Sequence, residues 1–414
     1  MWVCRYRCIA AVAVILLAAV AAPADVSTAV AARIKHAATP KPRPAEPRGT
    51  PAPTPSPAGS IDTEATHALI IETETGAVLL DKGADERIPT ASLSKVMTAY
   101  VVFGLLKKGR AKLTDELPVS ETAWRTQGSK MFVPLGGRVS IDQLLQGMIV
   151  QSGNDACVVL AEGLAGSQEA FVDLMNQKAK EIGLTHSHFA DVDGLPNPDH
   201  YSTARDLATL ALRTMQDFPE YYHYYSEKEF KFNNINQGNR NPLLYKDLGA
   251  DGLKTGHTEE SGYSLLASVH RGDRRVLLVL SGMPTMKSRA QEGERLTEWA
   301  FREFNDYRLF SAGEKVDDAD VWLGAAPKVP LSVKKDIVVT MPRASRKDMK
   351  VTVEYSQPIP APVERGQQLG KVVVTAPNVA TVEAPLYAAA AVGRMGAFGR
   401  MATTAGYLIW GDKH

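Results

Sequence analysis

The sequence predicts an α+β protein in which one antiparallel sheet, drawn from both ends of the larger N-terminal part, packs on a helical middle, with a small all-β domain following. Three observations predict it. Strand-like runs flank the larger part, His67 to Glu72 and Ala77 to Asp81 at its start, Tyr263 to His270 and Arg275 to Gly282 at its end. Between them, from Leu105 to about Leu244, most segments carry helical patterns. From Val316 to Pro385 the texture changes to short β-rich runs such as Lys350 to Tyr355 and Lys371 to Ala376, separated by Pro and Gly.

The N-terminus has Arg5 and Arg7, an apolar run from Ile9 to Ala22 and the small-residue sequence Ala22-Pro23-Ala24. This is the layout of a secretory signal peptide over residues 1–24, and the run is short for a membrane span. An exported chain is therefore expected. Cys4 and Cys8 would leave with the signal, and Cys157, in an apolar helical stretch, reads as a small core residue. Prolines recur from Ala37 to Ser60, so residues 25–63 are expected to form a disordered tether. The 414 residues, 44% of them hydrophobic, allow two domains, assigned here to 64–307 and 314–385. A net charge of +1, from 47 basic and 46 acidic residues, gives no reason to expect a nucleic-acid partner.

Taken in order, the first two strands turn at Thr75-Gly76 and lead through Pro89 to an apolar helix from Ser92 to Leu106, closed by Lys107, Lys108 and Gly109. Ser92 and Lys95 are one helical turn apart, so the amine can reach the hydroxyl. A serine needs such activation, and a desolvated lysine is one way to supply it. Ser-x-x-Lys alone is common, and a second copy, Ser332 to Lys335, lies in a strand-like context. Next, Ser140-Ile141-Asp142-Gln143 reads as a capping box for a helix whose apolar face is Leu144, Leu145, Met148 and Ile149. That helix should end near Gln151, leaving Ser152-Gly153-Asn154 on a turn before a buried helix from Asp155 to Ala165. Lys254-Thr255-Gly256 precedes the second strand pair, and an amphipathic stretch from Ser288 to Phe304 should cover the sheet. His186 and His188 lack neighbouring ligands, so neither a metal nor a cofactor is expected. His200 and His223 read as surface or packing residues.

The three motifs in this order form the signature of penicillin-binding proteins and class A β-lactamases. With the flanks Ile149 to Ala156, Asn239-Arg240-Asn241 and Asp251 to Thr258, the chain resembles the D-alanyl-D-alanine carboxypeptidases of the low-molecular-mass penicillin-binding proteins, serine peptidases of the S11 type. The resemblance runs from about His67 to Phe304 and more loosely beyond. It implies a β-lactamase/transpeptidase-like catalytic domain and a C-terminal β-sandwich that holds it away from the membrane.

It also implies the chemistry. Ser92 would attack the penultimate D-alanine carbonyl of a peptidoglycan pentapeptide, with Lys95 as base and Ser152 relaying a proton to the departing amine. Asn154 would bond the peptide amide. The backbone N–H groups of Ser92 and His257 would bind the oxyanion, Lys254 and Thr255 the terminal carboxylate, and Gly256 would admit the substrate strand. β-Lactams would be inhibitors. The weakly apolar 386–410 stretch would lie on the periplasmic face of the cytoplasmic membrane, within an anchor segment 386–414. The rival readings are a D,D-endopeptidase, a β-lactamase and a non-catalytic wall-binding protein. Ser-Gly-Asn in place of Ser-Asp-Asn, with no counterpart of the deacylation glutamate loop, argues against the β-lactamase.

Overall fold

The computed structural model describes residues 54–401, apart from 398 and 400. The expected signal peptide, most of the tether and the end of the anchor segment lie outside the described residues.

The larger domain begins with β1 (His67–Glu72) and β2 (Val78–Lys82). A 3-10 turn, Ala91–Ser94, leads into α1 (Lys95–Lys107). The helical middle follows as β3 (Glu116–Pro118), α2 (Glu121–Arg125), β4 (Arg138–Ser140), α3 (Ile141–Ile149), α4 (Asn154–Ala165), α5 (Gln168–Glu181) and α6 (Ala204–Asp217). A hairpin of β5 (Glu229–Phe232) and β6 (Ile235–Gly238) precedes β7 (Ala250–Thr258), β8 (Gly262–Arg271), β9 (Arg274–Met283) and α7 (Met286–Glu303). The sheet order is β2-β1-β9-β8-β7, so the two ends of the domain meet where β1 pairs with β9, Leu69 opposite Val279.

Side-chain alternation splits this sheet between two cores. Leu69, Leu266, Leu277 and Val279 face the helical middle, while Ala68, Ile70, Leu265 and Leu278 face Leu296 and Trp299 of α7. With both faces covered, the central strands read as nearly continuous apolar runs. Helix α1 is buried all round, through Val96, Met97, Ala99, Val102 and Phe103. Its first residue, Lys95, thereby enters the core. Ser140 caps α3 through Gln143 N–H, but the Gln143 side chain bonds the Ser140 hydroxyl, so only half of the expected capping box forms.

Part of the expected tether is packed. Thr54 and Ile61 exchange backbone hydrogen bonds, and Thr63, 1% exposed, donates to Glu292 at 2.6 Å. The proline spacing loosens after Pro57, which frees N–H and hydroxyl groups to bind the domain.

The second domain comprises β10 (Phe304–Phe310), β11 (Lys315–Trp322), β12 (Lys328–Ser332), β13 (Ile337–Pro342), β14 (Lys350–Tyr355), β15 (Ile359–Pro360), β16 (Gln368–Ala376) and β17 (Val379–Ala388). A six-stranded sheet, β14-β16-β17-β12-β11-β15, and the β10-β13 pair enclose Val329, Leu331, Val339, Met341 and Val372. Its limits differ from 314–385. It starts at Phe304 because β13 needs β10 as its ladder partner. It passes 385 because Leu386 and Ala388 are buried on β17, and Val392, bridged to Val363, is buried too. Thus 386–392 of the expected surface segment is β-domain core. Ser332 ends β12, opposite Lys315, so the second Ser-x-x-Lys is not on a helix.

Candidate active site

Ser92 lies in the 3-10 turn and Lys95 opens α1. A 3-10 turn eclipses residues i and i+3, which aligns the two side chains more directly than the α-helical face expected from spacing. Lys95 Nζ donates to Ser92 Oγ at 2.8 Å and also to the main-chain oxygen of Asp193. Lys95 is 1% exposed, whereas Ser92 remains half-buried and open to a ligand. Ala91, with φ of 46°, turns the chain into this arrangement and carries a local backbone cost beside Ser92.

Ser152 ends the turn after α3 with φ of 68°, another left-handed non-glycine. Its hydroxyl is buried and has no hydrogen-bond partner among the described residues. Buried hydroxyls are normally paired, so the vacancy suits a group whose partner arrives with substrate. Asn154 is more committed than expected. Its Nδ2 donates to the Gln127 carbonyl at 2.8 Å, which leaves the carboxamide oxygen for a substrate N–H. Gly128 makes this possible, because a Cβ there would lie 2.8 Å from Asn154 Nδ2. Asp155 holds the same loop, accepting from Met131, Phe132 and Val133 N–H groups at 2.9, 2.8 and 3.2 Å.

Lys254, Thr255, Gly256 and His257 lie on β7, at the sheet edge. A Cβ at Gly256 would meet Thr90 O at 3.1 Å and Leu93 Cγ at 3.3 Å. The glycine therefore admits the Ser92 turn, where the sequence suggested room for a substrate. His257 is exposed, its ring stacked on Tyr263 at 3.9 Å. Lys254 is 3% exposed and, among the described residues, donates only to Thr255 O, at 3.2 Å. Burial, then the charges of Lys95, Arg240 and Arg289, push its amine well below the usual lysine range. Arg240 Nη1 donates to Ser129 Oγ at 2.7 Å. Arg289, on the first turn of α7, has a buried Nε with no partner among the described residues. Burial lowers it to about 10, which leaves it charged at neutral pH. Cations gathered this closely, with so little acceptor around them, make a site complementary to an anion.

The geometry joins Ser92 directly to Lys95 and brings Lys254 within electrostatic reach of both Lys95 and Cys157, one turn into α4 from Asn154. Burial pushes the Cys157 thiol up, as befits a core residue. His186 and His188 engage Thr185 and Asp199 respectively, while His200 is buried against Asp191. Sequence reasoning missed Asp155, the loop from Gln127 to Val133, and Arg289. Arg289 sits in a helix read only as a sheet cover, and nothing in its spacing marks it. A buried arginine in an otherwise amphipathic pattern shows only once the fold is known.

Comparison with known proteins agrees over both domains. The family model described as D-alanyl-D-alanine carboxypeptidase matches residues 52–285, and that of the penicillin-binding protein 5 C-terminal domain matches 304–394. D-alanyl-D-alanine carboxypeptidase DacC of Escherichia coli K12 is 40% identical over 352 residues, covering 83% of this chain and 88% of DacC. Penicillin-binding protein 5 from Haemophilus influenzae superimposes with a TM-score of 0.71 at 37% identity, covering 81% of this chain and 99% of that one. Penicillin-binding protein D2 from Listeria monocytogenes, in its ampicillin-bound form, gives 0.54 at 28% identity, over 58% and 98%.

Proposed function

Given that the chain belongs to the D-alanyl-D-alanine carboxypeptidase family of serine peptidases, we propose that Ser92, Lys95, Ser152 and Lys254 carry its reaction through an acyl-enzyme on Ser92. The chain is a serine D,D-carboxypeptidase of the penicillin-binding protein 5 type. The observation that carries the residue assignment is the 2.8 Å contact from the buried Lys95 amine to a half-buried serine hydroxyl. Lys95 takes the Ser92 proton as Oγ bonds to the penultimate D-alanine carbonyl carbon. The N–H groups of Ser92 and His257 stabilise the oxyanion. Ser152 passes a proton to the departing nitrogen, the C–N bond breaks, and free D-alanine leaves. Water then cleaves the ester.

The substrate would lie along β7, whose outer edge has no ladder partner in the sheet, as an added strand. Its terminal carboxylate would sit among Lys254, Thr255, Arg240 and Arg289. An arriving carboxylate also restores the Lys254 charge against which burial works. Released D-alanine from a D-Ala-D-Ala pentapeptide is the direct assay of this reading.

Benzylpenicillin presents a similar acyl group and should acylate Ser92, yet with no glutamate loop identified to activate water it should leave slowly. Intact-mass spectrometry should show an adduct that persists long after free drug is removed. Rapid turnover without an adduct would support a β-lactamase.

We also propose export, with attachment to the outer face of the cytoplasmic membrane by the stretch beyond residue 394. Among the described residues, no helix is long and apolar enough to cross a membrane. Arg400, within that stretch, would cost about 2.5 to 3.5 kcal/mol near a bilayer centre, which favours a surface position. Deletion after residue 394, which spares the β-domain core, should move the mature enzyme to the soluble fraction with unchanged pentapeptide cleavage. A truncated form that still sediments with membranes would refute this attachment.

A further inference from the structure

The segment from Asp191 to Leu195 runs behind the turn that carries Ser92, and the acylation steps above use none of its atoms. Lys95 Nζ donates to the Asp193 carbonyl, and Thr98 Oγ1 donates to the Val192 carbonyl at 2.7 Å, so two consecutive carbonyls are tied to α1. The N–H groups of Asp193 and Gly194 then converge on one oxygen, Asp191 Oδ1, at 3.1 and 2.5 Å. The other oxygen, Oδ2, lies 3.0 Å from His200 Nδ1. His200 is 4% exposed, and its ring stands edge-on to Phe189 at 5.6 Å. An ionised carboxylate only accepts, so Nδ1 donates to it at 3.0 Å, and the longer 3.4 Å approach of Ala190 N–H to the same nitrogen gives way to that bond. His200 Nε2 has no partner among the described residues, which leaves Asp191 as its main polar anchor.

We propose that Asp191 and His200 form a positioning pair for the base, fixing the Asp193 carbonyl that aims Lys95 Nζ at Ser92 Oγ. The path is continuous: His200 orients Asp191, Asp191 gathers the Asp193 and Gly194 amides, the Asp193 carbonyl takes one lysine hydrogen, and the amine then meets Ser92. Burial opposes the Asp191 charge, but the hydrogen bond and charge of His200 and the two amides together hold its carboxyl below the usual carboxylate range. The pair is thus ionised at Asp191 and can grip both amides strongly. A lysine side chain has many rotamers, and a general base must hold its geometry closely to act.

This inference rests on Lys95 being the base for acylation at Ser92, and the test separates the two. Acylation by benzylpenicillin is followed in the whole mature enzyme by stopped-flow and intact mass, resolving non-covalent affinity from the acylation rate constant, with melting temperature in parallel. Wild type must label at Ser92; if it does not, the functional assignment fails rather than this pair. Asp191→Ala should slow acylation by about 10- to 100-fold with unchanged non-covalent affinity, the scale of a base displaced by about an ångström. Asp191→Asn keeps the Oδ1 acceptor and should recover to within about threefold of wild type. Should Asp191→Ala fail to fold, His200→Ala carries the same comparison and should also slow acylation. A wild-type acylation rate constant in Asp191→Ala or His200→Ala, whatever the melting temperature, overturns the pair. So does a loss confined to affinity, or an Asp191→Asn enzyme as slow as Asp191→Ala.

Discussion

Ser92→Ala should lose all covalent labelling by benzylpenicillin and release D-alanine from a pentapeptide at a rate lower by on the order of 10^4-fold or more, the scale seen when a serine hydrolase loses its nucleophile. Among the described residues, Ser92 is the serine whose hydroxyl receives a buried lysine amine, and the 3-10 turn eclipses the two side chains. Removing one half-buried hydroxyl leaves the surrounding core intact, so the variant should fold normally. Ser332→Ala is the matched control. Its lysine lies three residues on from the end of β12, where side chains follow a strand and not a helical turn, and neither labelling nor activity should change. Labelling that survives in Ser92→Ala, with the drug mapped to another residue, would dismiss the assignment.

The electrostatics around this pair favour a particular order of events. Lys254, Arg240 and Arg289 crowd the same side of the site as Lys95, and the first of these is itself pressed toward its neutral form by burial. On the proposed assignment, binding a carboxylate there would offset the cationic crowding before Lys95 acts as base. The substrate's terminal carboxylate would thus prepare the field in which its own scissile bond is attacked. A peptide amidated at that end would lose this compensation as well as its anchor.

Much of this was legible in the sequence, and the reasons differ by element. The sheet was readable because β8 and β9 carry apolar runs separated by Arg271-Gly272-Asp273-Arg274, a clear turn, and because strands at both ends of one domain have few partners but each other. Helix α1 was readable from its unbroken apolar composition. The 3-10 turn at Ser92 was not, since the same spacing serves an α-helix equally well. Contacts between distant segments left no periodic trace: Asp155 with the loop at Met131, Arg289 with Arg240, and Asp191 with His200 are each set by tertiary placement. The domain limits failed for a related reason. Leu386 continues into Ala and Gly, which reads as a new segment, yet β17 needs Leu386 and Ala388 to complete the second core.

Gly194→Ala should impair acylation by about 100-fold or more, through backbone alone. Gly194 has φ of +82°, and a Cβ there would fall 2.0 Å from the Ala91 carbonyl oxygen and 2.6 Å from Ser94 Oγ. Those atoms flank Ser92 on both sides. A hydroxyl rotor can yield, but the Ala91 carbonyl cannot move without carrying the Ser92 turn, and a misplacement of about 1 Å is enough for a loss of about 100-fold. The conformational cost of alanine at this φ must be separated from the clash. Gly183, just past the end of α5, supplies the comparison: its φ is +84° and nothing lies within 4 Å of its Cβ position. Gly183→Ala should therefore lose about 1–2 kcal/mol of unfolding free energy in urea, the left-handed penalty by itself, and acylate at the wild-type rate. If Gly194→Ala acylates as fast as Gly183→Ala, the loop does not brace the nucleophile, and the close approach of Gly194 to Ala91 serves packing only.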